Sequence, residues 1–117
     1  KFYRNLKMNS SKKSIILLLC LLAGLQSCSE ELNRLKKTNK CIGCDLSFED
    51  FEGENLAGAN LKGANLTGAV FFKANLTGAN LLGAKIYRVN FAEVNLEDAI
   101  WIDGRKCKKG SIGTCVK

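Results

Sequence analysis

The sequence predicts an all-β solenoid that turns a corner after every fifth residue, and three observations predict it. From Leu46 to Trp101 a large apolar residue stands at every fifth position: Leu46, Phe51, Leu56, Leu61, Leu66, Phe71, Leu76, Leu81, Ile86, Phe91, Leu96, Trp101. Two residues before each runs a second series, mostly small: Cys44, Glu49, Glu54, Ala59, Ala64, Ala69, Ala74, Ala79, Ala84, Val89, Val94, Ala99. The chain contains no proline, which suits a ladder in which every N–H is a potential donor. A helix buries a face every 3.6 residues and a strand every 2, so neither keeps a strict period of five inside. A coil with five-residue sides does, pointing one large and one small residue inward from each side.

The units Ala59-Asn60-Leu61-Lys62-Gly63, Ala64-Asn65-Leu66-Thr67-Gly68, Ala74-Asn75-Leu76-Thr77-Gly78 and Ala79-Asn80-Leu81-Leu82-Gly83 resemble the pentapeptide repeat family. The resemblance covers residues 44–103, about half the chain. It implies a right-handed quadrilateral β-helix with four units to a coil, hence about three coils, with residue i above residue i−20. The interior columns follow: Leu46/Leu66/Ile86, Phe51/Phe71/Phe91, Leu56/Leu76/Leu96 and Leu61/Leu81/Trp101. Coils stack at the spacing of neighbouring strands, ~4.8 Å. Glycine at 53, 58, 63, 68, 78 and 83 eases the corners, where a side chain crowds the backbone.

Residues 1–27 read as an address. Lys12-Lys13, the apolar run Ile15–Leu25 and the small residues after it are the three regions of a secretory signal. The run falls short of the ~20 residues that span a bilayer. Leu25-Gln26-Ser27-Cys28 resembles the bacterial lipobox, which implies that Cys28 is lipidated and becomes the mature N-terminus. Met8 is then the expected start. The implied location is the cell envelope, anchored in a membrane and facing the periplasm. Ser29 after the cysteine points to the outer membrane.

Charge is best read after processing. The formal +7 belongs largely to the termini. Residues 1–27 carry five cations and no acid, so their removal leaves +2. Residues 44–103 carry nine acids against four cations, and residues 104–117 carry five cations and no acid. A nucleic-acid groove is therefore not expected. The resemblance to the pentapeptide repeat family also implies a second reading, since some members mimic duplex DNA with an acidic rod. That reading, a cytoplasmic DNA-mimic regulator of a topoisomerase, is disfavoured for a short and exported chain.

Six cysteines in a small exported chain indicate disulfides. With Cys20 removed and Cys28 acylated, Cys41, Cys44, Cys107 and Cys115 remain. The two pairs flank opposite ends of the stack, roughly 10 Å apart at least, so local bridges Cys41–Cys44 and Cys107–Cys115 are expected rather than one zinc site. A redox or metal-binding protein using these four cysteines is the third reading. Residues 28–43 form the N-terminal capping segment. Within it Ser29–Asn39 reads as a short helix, with Glu30 and Glu31 near its start and Lys36 and Lys37 near its end. Leu32 and Leu35 are placed to cover the first coil. Residues 104–117, after the Asp103-Gly104 turn, form a basic, disulfide-closed C-terminal cap.

Two surfaces are candidates for contact. Outward apolar residues, Leu82, Ile100 and Ile102 on one side and Val70 with Phe72 on another, stand where the repeat usually places polar groups. They mark a protein partner or self-association or, for the first patch, a surface capped by the tail. Arg105, Lys106, Lys108 and Lys109 form a basic loop suited to anionic headgroups or envelope polymers. Glu49 and Glu54 with Asp45, Asp50 and Glu52 are expected to turn to solvent or to Lys36 and Lys37, since the spacing of a calcium loop is missing. No catalytic residue, metal site or cofactor is expected. The chain has no histidine, and the repeat offers its hydroxyls no base. The function expected is a lipid-anchored envelope scaffold or interaction module.

Overall fold

The computed structural model describes residues 27–117, with side chains from Glu30 onward. It comprises one helix, α1 (Ser27–Thr38), a stack of five-residue sides and a folded tail. The signal-like stretch and Met8 lie outside the described residues, as does the side chain of Cys28.

The expected twenty-residue register is present throughout the stack. Parallel bridges join Lys40 to Asn60, Asp45 to Asn65, Asp50 to Val70 and Asn55 to Asn75, and continue to Asn80 and Ile100. Below the top coil each large inward residue donates its amide upward, as in Leu61 N–H to Asn80 O at 2.8 Å, and the residue two further on does the same, Gly63 N–H to Leu82 O at 2.8 Å. The asparagine before each large residue turns its Oδ1 onto the amide two residues later, as Asn75 does to Thr77 at 3.0 Å. That local bond closes the corner and explains the invariant Asn of the A-N-L-x-G units. Asparagines also bond between coils: Asn75 donates to Asn55 at 3.1 Å.

The core is the pair of inward series. Leu46, Phe51, Leu61, Leu66, Phe71, Leu76, Leu81 and Leu96 are buried, with Ala59, Ala64, Ala69, Ala74, Ala79 and Ala99 beside them. Phe51, Phe71 and Phe91 stack in one column with ring centroids 4.8 and 5.6 Å apart. Trp101 is tilted against Phe91 at 5.5 Å. Each such side chain, fully buried, contributes roughly 1.5–3 kcal/mol.

The repeat begins earlier than residues 44–103 imply. Lys40 already bridges Asn60, and Cys41 is buried directly beneath Leu61. Cysteine fills the place of the large residue there, so the apolar pattern did not reveal this side. The stack therefore has one side more than three full coils, and the capping segment is shorter than 28–43.

Helix α1 closes the bottom. It extends Ser27–Thr38, against the expected 29–39, and ends where Asn39 takes a left-handed φ of 56° and its amide reaches Leu35 O at 2.8 Å. Leu35 is buried and Leu32 packs on the same cluster. Polar groups of this segment reach the downward-facing backbone of the first coil: Glu31 Oε2 accepts from Asp45 N–H at 2.7 Å, and Asn39 Nδ2 donates to Ala57 O at 2.8 Å.

Candidate functional site

The four cysteines are joined as Cys41–Cys44 and Cys107–Cys115. The first pair lies inside the bottom coil, exposed by 0 and 2%. A thiolate can attack only a sulfur it can reach, so this bridge is built as a staple rather than a redox centre. The second joins the two ends of the tail above the top coil. Both pairs are joined as disulfides, at opposite ends, so none of these four is a thiolate.

The carboxylates of the first coil are held individually. Glu54 pairs with Lys36 at 3.9 Å, Asp45 Oδ1 accepts from Ser47 N–H at 3.0 Å, and Asp50 Oδ1 accepts from Glu52 N–H at 2.9 Å. Among the described residues no three acids or cysteines converge on a point. The two buried hydroxyls are equally committed. Ser47 donates to Asp45, while Ser111 donates to Lys108 O at 2.7 Å and accepts from Val116 N–H at 2.9 Å.

The basic loop is exposed, but two of its four cations are already paired. Arg105 makes a side-chain ion pair with Asp103, its Nε 2.7 Å from Oδ2. Its hydrogen bonds hold the Asp103 carboxyl below its ordinary value and raise the guanidinium above its own. Lys106 lies 3.1 Å from Asp98. Lys108 and Lys109 have no acidic partner among the described residues.

The apolar candidates are less exposed than their outward positions imply. Val70, Phe72, Leu82, Ile100 and Ile102 are all half-buried. Lys106 bridges Ile100, a β-carbon at Gly104 would lie 3.6 Å from Leu82, and Lys73 Nζ lies 4.9 Å from the Phe72 ring centroid. The tail therefore lies beside Ile100 and Leu82, and a neighbouring lysine lies over Phe72. The large apolar side chains that do face solvent are Ile42, Tyr87, Ile112 and Val116, exposed by 59, 66, 54 and 43%. Three of these belong to the top coil and tail. Tyr87 was not among the apolar candidates read from the sequence, and Ile112 and Val116 stand in the tail, which has no period to read.

The tail itself runs back over the top coil. Trp101 N–H reaches Arg105 O at 2.8 Å, Asp98 N–H reaches Cys107 O at 3.0 Å and Leu96 N–H reaches Ser111 O at 2.8 Å. Antiparallel bridges Ile100–Lys106 and Asn95–Ile112 mark the same path. It lies over two sides of the coil, those of Leu96 and Trp101. Over the other two, the upward amides of Ile86, Arg88, Phe91 and Glu93 and the carbonyls of Ala84 and Val89 have no acceptor or donor among the described residues. Ile86, Val89, Phe91 and Trp101 are correspondingly only half-buried.

A stack of five-residue sides with a helix across its bottom and a tail over part of its top defines a solenoid module. The chain belongs to the pentapeptide repeat family: the family model for pentapeptide repeats matches eight copies over residues 40–71 and 64–100. Solved structures similar to it are also pentapeptide repeat proteins. Rfr23 from the cyanobacterium Cyanothece 51142 is 21% identical, with a TM-score of 0.34, over 61% of this chain and 82% of that one. HetL, involved in heterocyst differentiation regulation in the cyanobacterium Nostoc sp. strain PCC 7120, is 29% identical, with a TM-score of 0.33, over 57% of this chain and 40% of its own. A protein of the Arabidopsis thaliana thylakoid lumen is 35% identical, with a TM-score of 0.22, over 55% of this chain and 52% of its own. No curated protein matches the chain significantly.

Proposed function

We propose that this pentapeptide-repeat protein is an exported, lipid-anchored module that presents a rigid solenoid as a scaffold or protein-interaction surface in the bacterial envelope, without catalysis. The observation that carries the reading is the pairing of Cys41 with Cys44 and of Cys107 with Cys115 at the two ends of the stack. Such staples form and persist in an oxidising compartment, which agrees with the signal-like N-terminus and speaks against a cytoplasmic DNA mimic. Cys28 lies at the start of the capping helix, so acyl chains on it would enter the membrane at the closed end. The folded tail and its lysines would then be carried at the far end of the stack, toward partners rather than toward the anchoring bilayer.

Metabolic labelling with a palmitate analogue tests the anchor. The wild-type chain should take the label and sediment with membranes, and Cys28→Ser should lose both properties. A labelled Cys28→Ser chain, or an unlabelled wild-type chain in the soluble fraction, overturns it.

A further inference from the structure

The four sides of the top coil end in two different ways. The tail bonds over the Leu96 and Trp101 sides and then folds back on itself: Val116 N–H turns to Ser111 Oγ at 2.9 Å, and Cys115 is tied to Cys107. Over the Ile86 and Phe91 sides, the amides of Ile86, Arg88, Phe91 and Glu93 and the carbonyls of Ala84 and Val89 meet no partner among the described residues. Beneath them Ile86, Val89 and Phe91 are only half-buried. An unpaired strand edge beside exposed core is a template for an extended segment of another chain.

We propose that this edge takes an extended acidic segment of a partner protein, added to the stack as two further sides. The ladder one coil down fixes its register. There Asn65 donates to Cys44 O and accepts from Leu46 N–H, and Thr67 accepts from Phe48 N–H. The guest residue in the corresponding place donates to Ala84 O and accepts from Ile86 N–H, and the one two further on accepts from Arg88 N–H. Between them a guest side chain points inward onto Ile86, so it is apolar. On the Phe91 side a second apolar guest residue extends the phenylalanine column.

Charge selects the partner. Outward side chains of one column touch from coil to coil: Asn65 Nδ2 reaches Asp45 Oδ1 at 3.3 Å, and at the corner the Phe48 ring lies against Gly68. The next members of these two columns are Lys85 and Arg88. Both are exposed, and neither has an acidic partner among the described residues. A guest acid above each meets a cation at the spacing where its column-mates touch, whereas a guest lysine meets a like charge. Residues 84–92 contain no acid to compete. Glu93, the nearest one after them, is already paired with Lys73 at 3.8 Å. Tyr87, exposed by 66%, stands between the two cations in sequence and gives the guest an aromatic flank.

The test uses the full chain in detergent and a capped synthetic peptide, Ala-Asp-Leu-Thr-Asp-Ala-Asn-Leu-Thr-Gly, whose aspartates fall over Lys85 and Arg88. Hydrogen exchange read by NMR should show the amides of Ile86, Arg88, Phe91 and Glu93 becoming protected as peptide is added. Lys85→Glu, at an exposed position, should keep the fold by circular dichroism and weaken binding roughly fivefold or more. A peptide with lysine in place of its first aspartate should restore binding to that variant. Lys62→Glu, exposed on the middle coil, should change nothing. Methylating the backbone nitrogen of the first aspartate keeps the charge and removes the donor to Ala84 O, so it should abolish the protection. No protection by the peptide, equal binding of the methylated peptide, or indifference to Lys85→Glu overturns the proposal. So does protection that arises without peptide as the chain is concentrated, which would put a second copy on the edge. The inference gives a partner class to the interaction surface proposed above and rests on that reading, but not on the anchor. Cys28→Ser should bind the peptide as the wild type does, so a failed label and a failed peptide are told apart.

Discussion

The two ends of the stack are closed by different means. At the bottom, a helix lies across the coil, places Leu35 on the core and turns Glu31 and Asn39 onto backbone groups of the first coil. At the top, the backbone of the tail bonds over two sides and leaves two uncovered. The core records the difference: Phe51 and Phe71 are buried, while Phe91 in the same column is only half-buried. The corners record it too. Most corners of the first two coils carry glycine, whereas the third puts Arg88, Glu93 and Asp98 into left-handed backbone at φ of 55°, 57° and 61°. A solenoid's middle is cheap to specify by repetition, but its ends must be closed by segments that break the repeat. Here the bottom is closed by a helix, and the top is bonded by the tail over two of its four sides.

The largest expected effect comes from the phenylalanine column. Phe71→Ala removes a ring packed above and below and should cost about 3–5 kcal/mol. Phe91→Ala, at the half-open end, should cost roughly half as much, because less of its surface leaves water on folding. Urea denaturation at dilute concentration measures both. Equal losses would mean that Phe91 is as well covered as Phe71, and the contrast between the ends would disappear.

Next in size is the tail bridge. Replacing Cys107 and Cys115 together by serine opens a short loop and should cost about 2–3 kcal/mol. The loss should be local: amide exchange at Leu96, Asp98 and Trp101, which bond the tail, should accelerate, while Leu61 and Leu66 in the middle coil keep their protection. Uniform acceleration across the stack would show that the tail holds the whole solenoid rather than its top.

Much of this architecture is legible in the sequence, for a physical reason. The period of five marks the inward residues, and the four-sided coil implied by the family resemblance sets them into columns twenty residues apart, the phenylalanine stack among them. The start of the repeat at Lys40 was not legible, because Cys41 occupies an inward place that elsewhere holds Leu, Phe or Ile. The path of the tail was hidden as well, since backbone hydrogen bonds from Arg105 to Gly113 leave no pattern in side-chain type. The open edge was hidden with it, being defined by where the tail does not reach. Phe48 is a smaller case of the same kind. It replaces a corner glycine, takes φ of 62°, and lays its ring against Gly68 twenty residues on. The missed signal was an aromatic residue one coil below a glycine.

The corners give the third comparison. A β-carbon at Gly68 would fall 2.5 Å from Phe48 ring atoms, at φ of 70°, whereas one at Gly78 meets nothing, at φ of 67°. Gly78→Ala should therefore cost the conformational term alone, about 1–2 kcal/mol, and Gly68→Ala more. In the opposite direction, Arg88→Gly and Glu93→Gly should each stabilise the top coil by up to about 1 kcal/mol, because glycine occupies the left-handed region without penalty. Thermal midpoints of the four variants order these effects. A destabilising Arg88→Gly would show that its side chain, set 5.2 Å over the Tyr87 ring, matters more than its backbone.

The smallest effect belongs to the turn that sends the tail back over the coil. Gly104 N–H bonds Trp101 O at 2.9 Å, and the exposed Asp103–Arg105 pair sits beside that bond. The hydrogen bonds from Arg105 hold the Asp103 carboxyl below 3.8. A depressed carboxylate contributes its stability above the unfolded value and loses it as pH falls through the folded one. Neutral solution therefore shows the full contribution, and the loss is confined to pH below about 4. A carboxyl NMR titration should place Asp103 lower in the wild type than in Arg105→Gln, where it should return toward the ordinary range. Salt should narrow the gap, since both groups are open to solvent. The middle coil holds its amides by backbone alone, as in Leu61 N–H to Asn80 O, so acid should loosen the amides of Asp98 and Trp101 before that of Leu61. If all three respond together, the top is coupled to the rest of the stack and does not melt independently.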